Sequence, residues 1–261
     1  MLLDYQDKLS NNRPQRLVSL VPSLTETLLY CGLENNVLGR TRYCIHPAGK
    51  VDKIISTGGT KDPDLDKIKY IQPDLILATM EENRKEDIEL LAKIFPVFVG
   101  DISDKESLIQ YLKSLNELLH NECMATLVNQ LTEFKIPCLA APKSALYLIW
   151  QKPIMTIGND TFIHFTLEST GFKSVSHQYQ RYPQLSVDEI RLLCPEYILL
   201  SSEPYRFKEK HLDFYRVLFP ESQVILVDGE MFSWYGSRLL QTPAYFENLF
   251  KKMRLPYLYP L

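Results

Sequence analysis

The chain has 261 residues, of which 45% are apolar and 23% are charged, and its formal net charge is −3. This length favours two domains of about 130 residues each, and the composition gives each of them enough apolar residues for a core. The slightly acidic balance argues against nucleic-acid binding, which needs a basic face, and no apolar run reaches the roughly 18 residues of a membrane span.

The N-terminus has neither the basic start nor the apolar stretch of a signal peptide. The five cysteines are scattered and include no CxxC pair, which predicts free thiols that are mostly buried. Both features predict a cytoplasmic protein as the chain is given, or a periplasmic one if the sequence is a processed or truncated form.

Short apolar strands alternate with helices over the first hundred residues. Strands are predicted at 16–20, 37–39, 75–78 and 97–99, and helices at 23–31, 64–71 and 84–94. Ser23 and Glu26 have the spacing of a capping box at the start of the first helix. Continuous apolar strands between helices are typical of a parallel sheet covered on both faces, so residues 1–102 are predicted to form an α/β lobe.

A segment without Pro or Gly follows, from Ser103 to Phe134, with leucines near helical spacing. It predicts one long helix within residues 103–136, which would span roughly 45 Å and join two lobes rigidly. An interruption near His120–Asn121 is the alternative. A new set of strands begins at Ala145–Trp150, so residues 137–261 are predicted to form a second α/β lobe.

The second half repeats part of the first. Residues 66–81 align without a gap with residues 188–203, and Asp, Ile, Pro, an acid, Ile-Leu, a hydroxyl and Glu recur in register. Any two helix–Pro–strand units share some of this pattern, but Ser186 and Glu189 add a second capping box. The repeat predicts two Rossmann-like lobes with mainly parallel sheets and a ligand cleft between the carboxyl ends of the sheets.

The loop Tyr43–Pro47 is the most unusual in the chain, because it places Cys44 and His46 two residues apart. These side chains could ligate a soft metal if Glu81, His164 or Glu203 completed the shell. A histidine bonded to the backbone, or a polar contact to an organic ligand, are the alternatives. The motifs GxGxxG, GxxxxGK[ST], HExxH and GxSxG are all absent from the sequence, which weakens the common enzyme hypotheses.

Aromatic residues are frequent where loops are predicted, as in apolar clefts for large flat ligands, although such rings also pack cores. The candidates are Tyr43, Trp150, Tyr179, Tyr182, Tyr205, Phe232, Trp234 and Tyr235. The segment Met231–Arg238 is the densest of them, and Arg238 could bind a phosphate, a carboxylate or an amide carbonyl. Glu81 follows a predicted strand, which favours either the cleft or a solvated helix N-terminus.

Asp66 and Asp188 occupy matching positions in the two halves, each in the first turn of a predicted helix. Acidic side chains there complement the helix dipole, which is the simpler explanation. A symmetric acidic pair is also a surface that a two-fold basic partner could recognise.

Together these features resemble the helical-backbone metal receptor superfamily, which has the class III periplasmic-binding-protein fold. More narrowly, they resemble the vitamin B12-binding and iron-complex-binding proteins of bacterial ABC importers. Residues 16–26 resemble the opening strand–turn–helix of the family, 58–78 its second signature, and 183–200 the counterpart in the C-terminal lobe. The resemblance extends over residues 16–252, and a branch without signal peptides that carries YCxHP, EENR and SWYGSR is the most similar.

The resemblance implies two Rossmann-like lobes joined by one long helix. It also implies that Tyr43 and Tyr182 contact a corrin, that the region of Trp234 lies beside the cleft, and that Asp66 and Asp188 dock arginines of a transporter permease. This sequence departs from the family in having Asp at these two positions instead of the usual Glu. It also lacks a family Trp near Thr60.

We therefore expect a monomeric, non-enzymatic protein that needs no cofactor and holds a corrinoid such as cobalamin, or another metal chelate, between its lobes. The predicted ligand-binding residues are Tyr43, Cys44, His46, Thr60, Glu81, Trp150, Tyr182, Trp234 and Arg238. One alternative is a metal-binding enzyme or metal-trafficking protein that uses Cys44, His46 and His164. Another is an interaction module recognised through Asp66 and Asp188.

Overall fold

The structure is a computed structural model that describes residues 13–260. The chain divides into two compact units. The first consists of the chain up to Phe134 together with Trp234–Leu239, and the second consists of Lys135–Ser233 together with the residues from Leu240 onward. The prediction about the N-terminal leader falls on residues 1–12, which lie outside the described part.

The first unit contains a five-stranded sheet in which all paired strands are parallel. Its strands are β1 (Leu17–Ser19), β2 (Val37–Arg40), β3 (Ile55–Ser56), β4 (Leu75–Thr79) and β5 (Val97–Gly100). Their order, β3-β2-β1-β4-β5, matches the first five strands of the doubly-wound Rossmann order, and β1 and β4 are buried at its centre. The predicted parallel sheet is confirmed.

The described residues of the first unit form five α-helices. They are α1 (Pro22–Tyr30), α2 (Leu65–Ile71), α3 (Lys85–Ala92), α4 (Lys105–Leu119) and α5 (Glu122–Glu133). A core cluster that includes Val18, Ile68 and Leu91 brings apolar side chains of the sheet, α2 and α3 together. The apolar faces that helical and strand periodicity predict therefore pack together in one core.

The prediction of one long helix at 103–136 is wrong, and the alternative of an interruption near His120–Asn121 is confirmed, because α4 and α5 are separate helices. His120 ends α4 in the left-handed conformation, and the Asn121 side chain caps α5 by accepting from the Met124 amide at 2.8 Å. The Lys105 ammonium at the start of α4 donates to the Thr132 carbonyl near the end of α5. The two helices therefore run antiparallel, and the expected 45 Å connector is absent from this segment.

The capping box predicted at Ser23 and Glu26 is also wrong. Helix α1 begins at Pro22, its N-cap is Val21, and no side chain caps it. Proline suits the first helical position because its missing N–H has no partner there in any case. Ser23 and Glu26 consequently lie inside the helix and are buried.

The second unit is built on a mainly parallel sheet. Its strands are β6 (Cys138–Leu139), β7 (Lys143–Trp150), β8 (Met155–Thr156), β9 (Phe172–Ser174), β10 (Tyr197–Ser201), β11 (Gln223–Val227) and β12 (Tyr257–Leu258). The main sheet has the order β11-β10-β7-β8, with β9 also paired to β7, and only β8 runs antiparallel within it. Strands β6 and β12 form a separate antiparallel pair.

The helices of the second unit pack against this sheet. They are α6 (Phe162–Ser169), α7 (Val187–Leu193), α8 (Glu209–Leu218), α9 (Glu230–Ser233) and α10 (Thr242–Met253). A core cluster that includes Leu146, Ile190 and Tyr215 joins β7, α7 and α8. Among residues 13–260, every helix is too short or too polar to cross a membrane.

The internal repeat is confirmed at the level of individual elements. The bounds of α2 and α7 coincide under the alignment, as do those of β4 and β10. The N-caps also match, since Asp64 caps α2 and Ser186 caps α7 with the predicted capping box to Glu189. Gln72 and Cys194, the two C-caps, are both left-handed. The two units therefore share a helix–turn–strand element.

A carboxylate links two strands of the second unit and gives a pH-dependent prediction. Glu196 accepts from the Lys143 ammonium and from the Ser144 amide, both at 2.8 Å. The Lys143 bond and then the Ser144 amide hold the pKa of Glu196 below its ordinary value of 4.5. Its stabilising contribution is therefore complete above that value and is lost as the pH falls through the lowered folded pKa.

Replacing Glu196 with glutamine should remove this part of the acid sensitivity. The urea midpoint of wild type should exceed that of Glu196→Gln at about pH 7 and converge with it towards about pH 3. A gap between the two proteins that stays constant across this range would contradict the linkage. Glu209→Gln, at an exposed position of α8, is the control and should leave the pH profile unchanged.

Candidate functional site

The candidate site of the first unit lies at the carboxyl edge of its parallel sheet. Strand β2 ends at Arg40 and leads into the Tyr43–Pro47 loop, while β4 ends at Thr79 and leads to Glu81. Carboxyl ends of parallel strands share one edge, where open α/β sheets bind their ligands. The topology thus brings together the two loops that the sequence singled out.

The Tyr43–Pro47 loop has two solvent-accessible rings and one buried thiol. Tyr43 is 53% exposed, with the Arg42 guanidinium 5.7 Å from its ring centre. His46 is half-buried, and its ring meets the Trp234 ring edge-on at 5.4 Å between centroids. Tyr43 and His46 therefore both present ring surface at this edge, and their contact with a ligand stays a prediction.

Cys44 does not share this placement. Its sulfur is buried and lies 3.1 Å from the Thr25 hydroxyl and 3.2 Å from the Thr41 hydroxyl. Burial raises the pKa of the Cys44 thiol, although both threonines act in the opposite direction. The expected contact between Cys44 and a ligand is not supported, since the thiol is protonated and directed into the interior.

The metal hypothesis finds no ligand set in the described part of the chain. Within residues 13–260, no group of three or more His, Cys, Asp or Glu side chains is arranged to hold a metal ion. His164, the third member of the predicted set, lies in α6 of the second unit, where burial lowers the pKa of its ring.

The segment Trp234–Leu239 belongs to the first unit and is anchored there by a buried ion pair. Arg238 donates to Glu26 through Nε at 2.9 Å, and its Nη2 lies 2.8 Å from the second carboxylate oxygen. The two side chains are only 7% and 12% exposed. The guanidinium also lies over the Trp234 ring, 5.2 Å from its centre.

Arg238 was expected to bind the polar rim of a ligand, and this is not supported, because Glu26 engages its guanidinium. The same anchor includes the Ser237 amide, which donates to the Thr27 hydroxyl at 3.1 Å. Gly236 has φ +78°, and an added Cβ would lie 2.1 Å from the Thr27 hydroxyl oxygen. Only glycine therefore fits this turn against α1.

Tyr235 links the anchored segment to the end of β4. Its hydroxyl lies 3.4 Å from the Thr79 hydroxyl, and the phenol is buried. Burial, reinforced by the nearby Glu82 carboxylate, raises the pKa of Tyr235. Burial likewise raises the pKa of Glu82, against the effect of Lys61. Glu81 is half-buried, and its carbonyl accepts from the Lys61 ammonium at 2.6 Å.

The Asn83 side chain forms hydrogen bonds to three separate backbone segments at this edge. Its amide group donates to the Leu20 carbonyl at 3.2 Å and to the Thr60 carbonyl at 3.0 Å, and its oxygen accepts from the Thr79 amide at 2.9 Å. Asn83 is buried, and so is the predicted ligand residue Thr60. The group of Thr60 that is bonded at this edge is therefore its backbone carbonyl, and its contact with a ligand stays a prediction.

Two predicted ligand residues lie in the second unit. Trp150 ends β7, is 38% exposed, and donates from its indole nitrogen to the Lys152 carbonyl at 3.1 Å. The Tyr205 ring packs edge-on against it at 5.5 Å, and the Tyr205 hydroxyl donates to Gln151 at 2.7 Å. Tyr182 is half-buried. Trp150 is thus an exposed indole held in one orientation.

The two candidate docking carboxylates have equivalent environments. Asp66 and Asp188 are the second residues of α2 and α7, with side chains 95% and 87% exposed. Each pairs with a base three residues later, Lys69 or Arg191. Their predicted first-turn positions are confirmed, and their role in docking stays a prediction.

Sequence reasoning missed Glu26 and gave Asn83 no role. Glu26 was assigned to a local cap, whereas its partner Arg238 lies 212 residues away in the sequence. Both residues could have been noticed in the sequence, because each is a polar residue within or shortly after an apolar segment that the fold buries.

Known relatives by sequence are substrate-binding proteins. The chain is 26% identical over 198 residues to a vitamin B12-binding protein of Photorhabdus laumondii, covering 72% of this chain and 71% of that protein. It is 24% identical over 212 residues to a Bacillus subtilis protein named as an uncharacterized ABC transporter substrate-binding lipoprotein, covering 75% of this chain and 66% of that one.

Solved structures share the fold. The periplasmic vitamin B12-binding protein BtuF of Vibrio cholerae has a TM-score of 0.77 at 16% identity, covering 93% of this chain and 98% of that one. A periplasmic heme-binding protein of Pseudomonas aeruginosa has a TM-score of 0.75 at 17% identity, covering 94% and 95%. The names of these relatives give no support to the expected cytoplasmic location.

The sequence profile described as "Periplasmic binding protein" matches residues 17–215, which is more than half of the chain. The two-unit α/β architecture agrees with this match, as do the relatives found by sequence and by fold. The chain therefore belongs to the periplasmic binding protein family, in its class III.

Proposed function

We propose that this substrate-binding protein of the ABC transport family takes a corrinoid, or another metal chelate with a large flat ring system, as its ligand. The observation that carries the proposal is the loop that follows β2, which exposes the Tyr43 ring and packs the half-buried His46 ring on the buried Trp234 ring. Relatives named for vitamin B12 or heme binding support the same ligand class.

Exposed aromatic rings favour a flat apolar ligand over a small polar one. Tyr43 and Trp150 expose 53% and 38% of their surface, and an exposed aromatic ring offers a large flat ligand a broad contact area. Neighbouring groups restrain both rings, through the Arg42 contact and the Tyr205 edge. Less side-chain entropy is therefore lost when a ligand covers them.

Polar recognition in this proposal falls to His46 and Glu81, two half-buried residues in the loops that follow β2 and β4. Cys44 and Arg238 have structural partners instead, so we remove them from the proposed contact set. The expectation that the ligand is held in a cleft between two lobes stays a prediction. Binding, and no reaction, is the proposed activity.

The direct test is a titration of the purified protein with cobalamin, cobinamide and hemin, followed by visible absorbance and calorimetry. We expect saturable one-to-one binding of at least one of them with a dissociation constant of about 1 μM or tighter, equivalent to roughly 8 kcal/mol. If all three fail to saturate the protein, the flat-chelate proposal is rejected, while the family assignment stands.

Single aromatic substitutions locate the binding surface. Tyr43→Ala and Trp150→Ala should each weaken binding of the chelate about tenfold, because each removes stacking worth about 1.4 kcal/mol. Tyr30 is 49% exposed in the same unit as Tyr43, at the end of α1, and Tyr30→Ala is the matched control. Equal affinities for Tyr43→Ala and Tyr30→Ala would exclude Tyr43 from the site.

The family implies a permease partner, and we propose that it docks on α2 and α7. Each helix shows an exposed carboxylate followed one turn later by an exposed apolar residue. The pairs are Asp66 with Tyr70, which is 83% exposed, and Asp188 with Leu192, which is 87% exposed. Residues four apart share a helix face, so each face combines charge with apolar area.

Charge reversal tests this docking surface. The double variant Asp66→Lys/Asp188→Lys should bind a cognate permease in nanodiscs at least tenfold more weakly. Its thermal midpoint should fall by only a few degrees, because each solvated carboxylate gives up only a helix-dipole contact and an exposed ion pair. Asp213→Lys is the control, since Asp213 is 84% exposed on α8 and has the same spacing to Arg216. Undiminished permease binding by the double variant would show that these carboxylates play no part.

A further inference from the structure

Two cysteines from different helices meet in the first unit, where α1 ends and α5 begins. Cys31 is the C-cap of α1, and Cys123 lies in the first turn of α5. The Cys123 thiol donates to the carbonyl oxygen of Tyr30, the residue before Cys31, at 3.7 Å, which brings its sulfur against the end of α1. The Asn121 amide fixes this junction by donating to the Cys31 carbonyl at 3.2 Å.

The environments of the two thiols differ. Cys31 is 4% exposed, whereas Cys123 is exposed. Burial, and secondarily the neighbouring Cys123, raises the pKa of the Cys31 thiol. Cys123 is therefore the sulfur that a reagent in solution reaches first, with Cys31 behind it as a resolving thiol. The expectation that the thiols are mostly buried is wrong, because Cys123 and Cys194 are both exposed.

We propose that Cys31 and Cys123 are a modification site, at which a disulfide forms by exchange with a small-molecule disulfide. The Cys123 thiol loses its proton, its thiolate attacks one sulfur of the oxidant, and the first thiolate to leave takes up that proton. The Cys31 sulfur then attacks the Cys123 sulfur, and the second thiolate leaves and takes up the proton from Cys31. The protein dithiol is oxidised by two electrons, and the oxidant is reduced to two thiols.

This bond would reinforce the part of the first unit that carries the candidate site. It would close the chain from Cys31 to Cys123, which includes strands β2–β5, and would join α5 to α1. Helix α1 bears Glu26 and Thr27, which hold the Trp234–Leu239 segment. Because a long closed loop restricts the unfolded chain, the disulfide should raise the thermal midpoint by several degrees.

The test treats the reduced full-length protein with oxidised glutathione and maps its peptides by mass spectrometry without reduction. We expect a cross-linked peptide pair that contains Cys31 and Cys123, together with an upward shift of the thermal midpoint that dithiothreitol reverses. Cys194→Ser, at the other exposed cysteine, should keep both the cross-link and the shift.

Two variants separate the proposal from simple surface oxidation. Cys123→Ser replaces an exposed side chain, should fold normally, and should lose the thermal shift. Cys31→Ala should leave glutathione attached to Cys123 as a stable mixed disulfide. If oxidised wild type shows that same mixed disulfide with Cys31 still reduced, or a bond from Cys123 to another cysteine, the proposal is overturned. Both results are independent of the ligand.

Discussion

Replacing Arg238 with alanine is expected to lower the free energy of unfolding by about 3–5 kcal/mol, since it leaves a buried carboxylate without its partner. The Glu26 and Arg238 side chains are 12% and 7% exposed and are joined at 2.8 and 2.9 Å. The loss should also release Trp234, whose ring lies against the guanidinium. Urea unfolding followed by circular dichroism measures the effect.

The controls test whether the expected loss of stability comes from the burial of the ion pair or from its charge alone. Arg191→Ala breaks an ion pair with Asp188 whose side chains are 56% and 87% exposed, and should cost less than about 1 kcal/mol. The double variant Glu26→Leu/Arg238→Met should be more stable than Arg238→Ala, because it removes both buried charges together. A loss of under about 1 kcal/mol in Arg238→Ala would mean that water reaches Glu26.

Replacing Asn83 with alanine should have a comparable effect, because it deprives three buried backbone groups of their partner. The Leu20 and Thr60 carbonyls lose a donor, and the Thr79 amide loses an acceptor. Each unsatisfied group costs about 1–3 kcal/mol, so a total of roughly 3–6 kcal/mol is expected. The affinity for the chelate should fall as well, since these groups fix the edge that bears Glu81.

Asn83→Asp refines the test, because aspartate keeps the acceptor for the Thr79 amide and loses both donated bonds. It should still destabilise the protein, by bringing a carboxylate towards two carbonyl oxygens. Asn129→Ala, at an exposed position of α5, is the control and should change stability by less than about 0.5 kcal/mol. Similar unfolding curves for Asn83→Ala and Asn129→Ala would refute the bracing role of Asn83.

The sequence predicted most accurately where local signals agreed with each other. The repeat between residues 66–81 and 188–203 reproduces the bounds of two helices and two strands. Asp66 and Asp188 stand in the first helical turn as expected, with solvated side chains. Caps, prolines and apolar periodicity act over a few residues, so they can be recognised in the sequence without tertiary information.

Local reasoning failed where a short-range and a long-range partner competed for the same group. The spacing of Ser23 and Glu26 favours a cap, but Pro22 already starts α1, and Glu26 binds Arg238 far along the chain. Leucine periodicity likewise continues from α4 into α5, because the reversal at His120 and Asn121 interrupts it by only two residues. Periodicity shows which face of a helix is apolar, but it does not show whether the chain reverses direction between two helices.

The two α/β units, their mainly parallel sheets and the loops that follow β2 and β4 are predictable from the sequence, since they depend on local propensity and apolar patterning. Which side chains of those loops face outward depends instead on tertiary packing. Tyr43 remains exposed, while Cys44, one residue later, is enclosed by two threonines. Burial and long-range pairing depend on the packing of distant segments, which no spacing within a loop encodes.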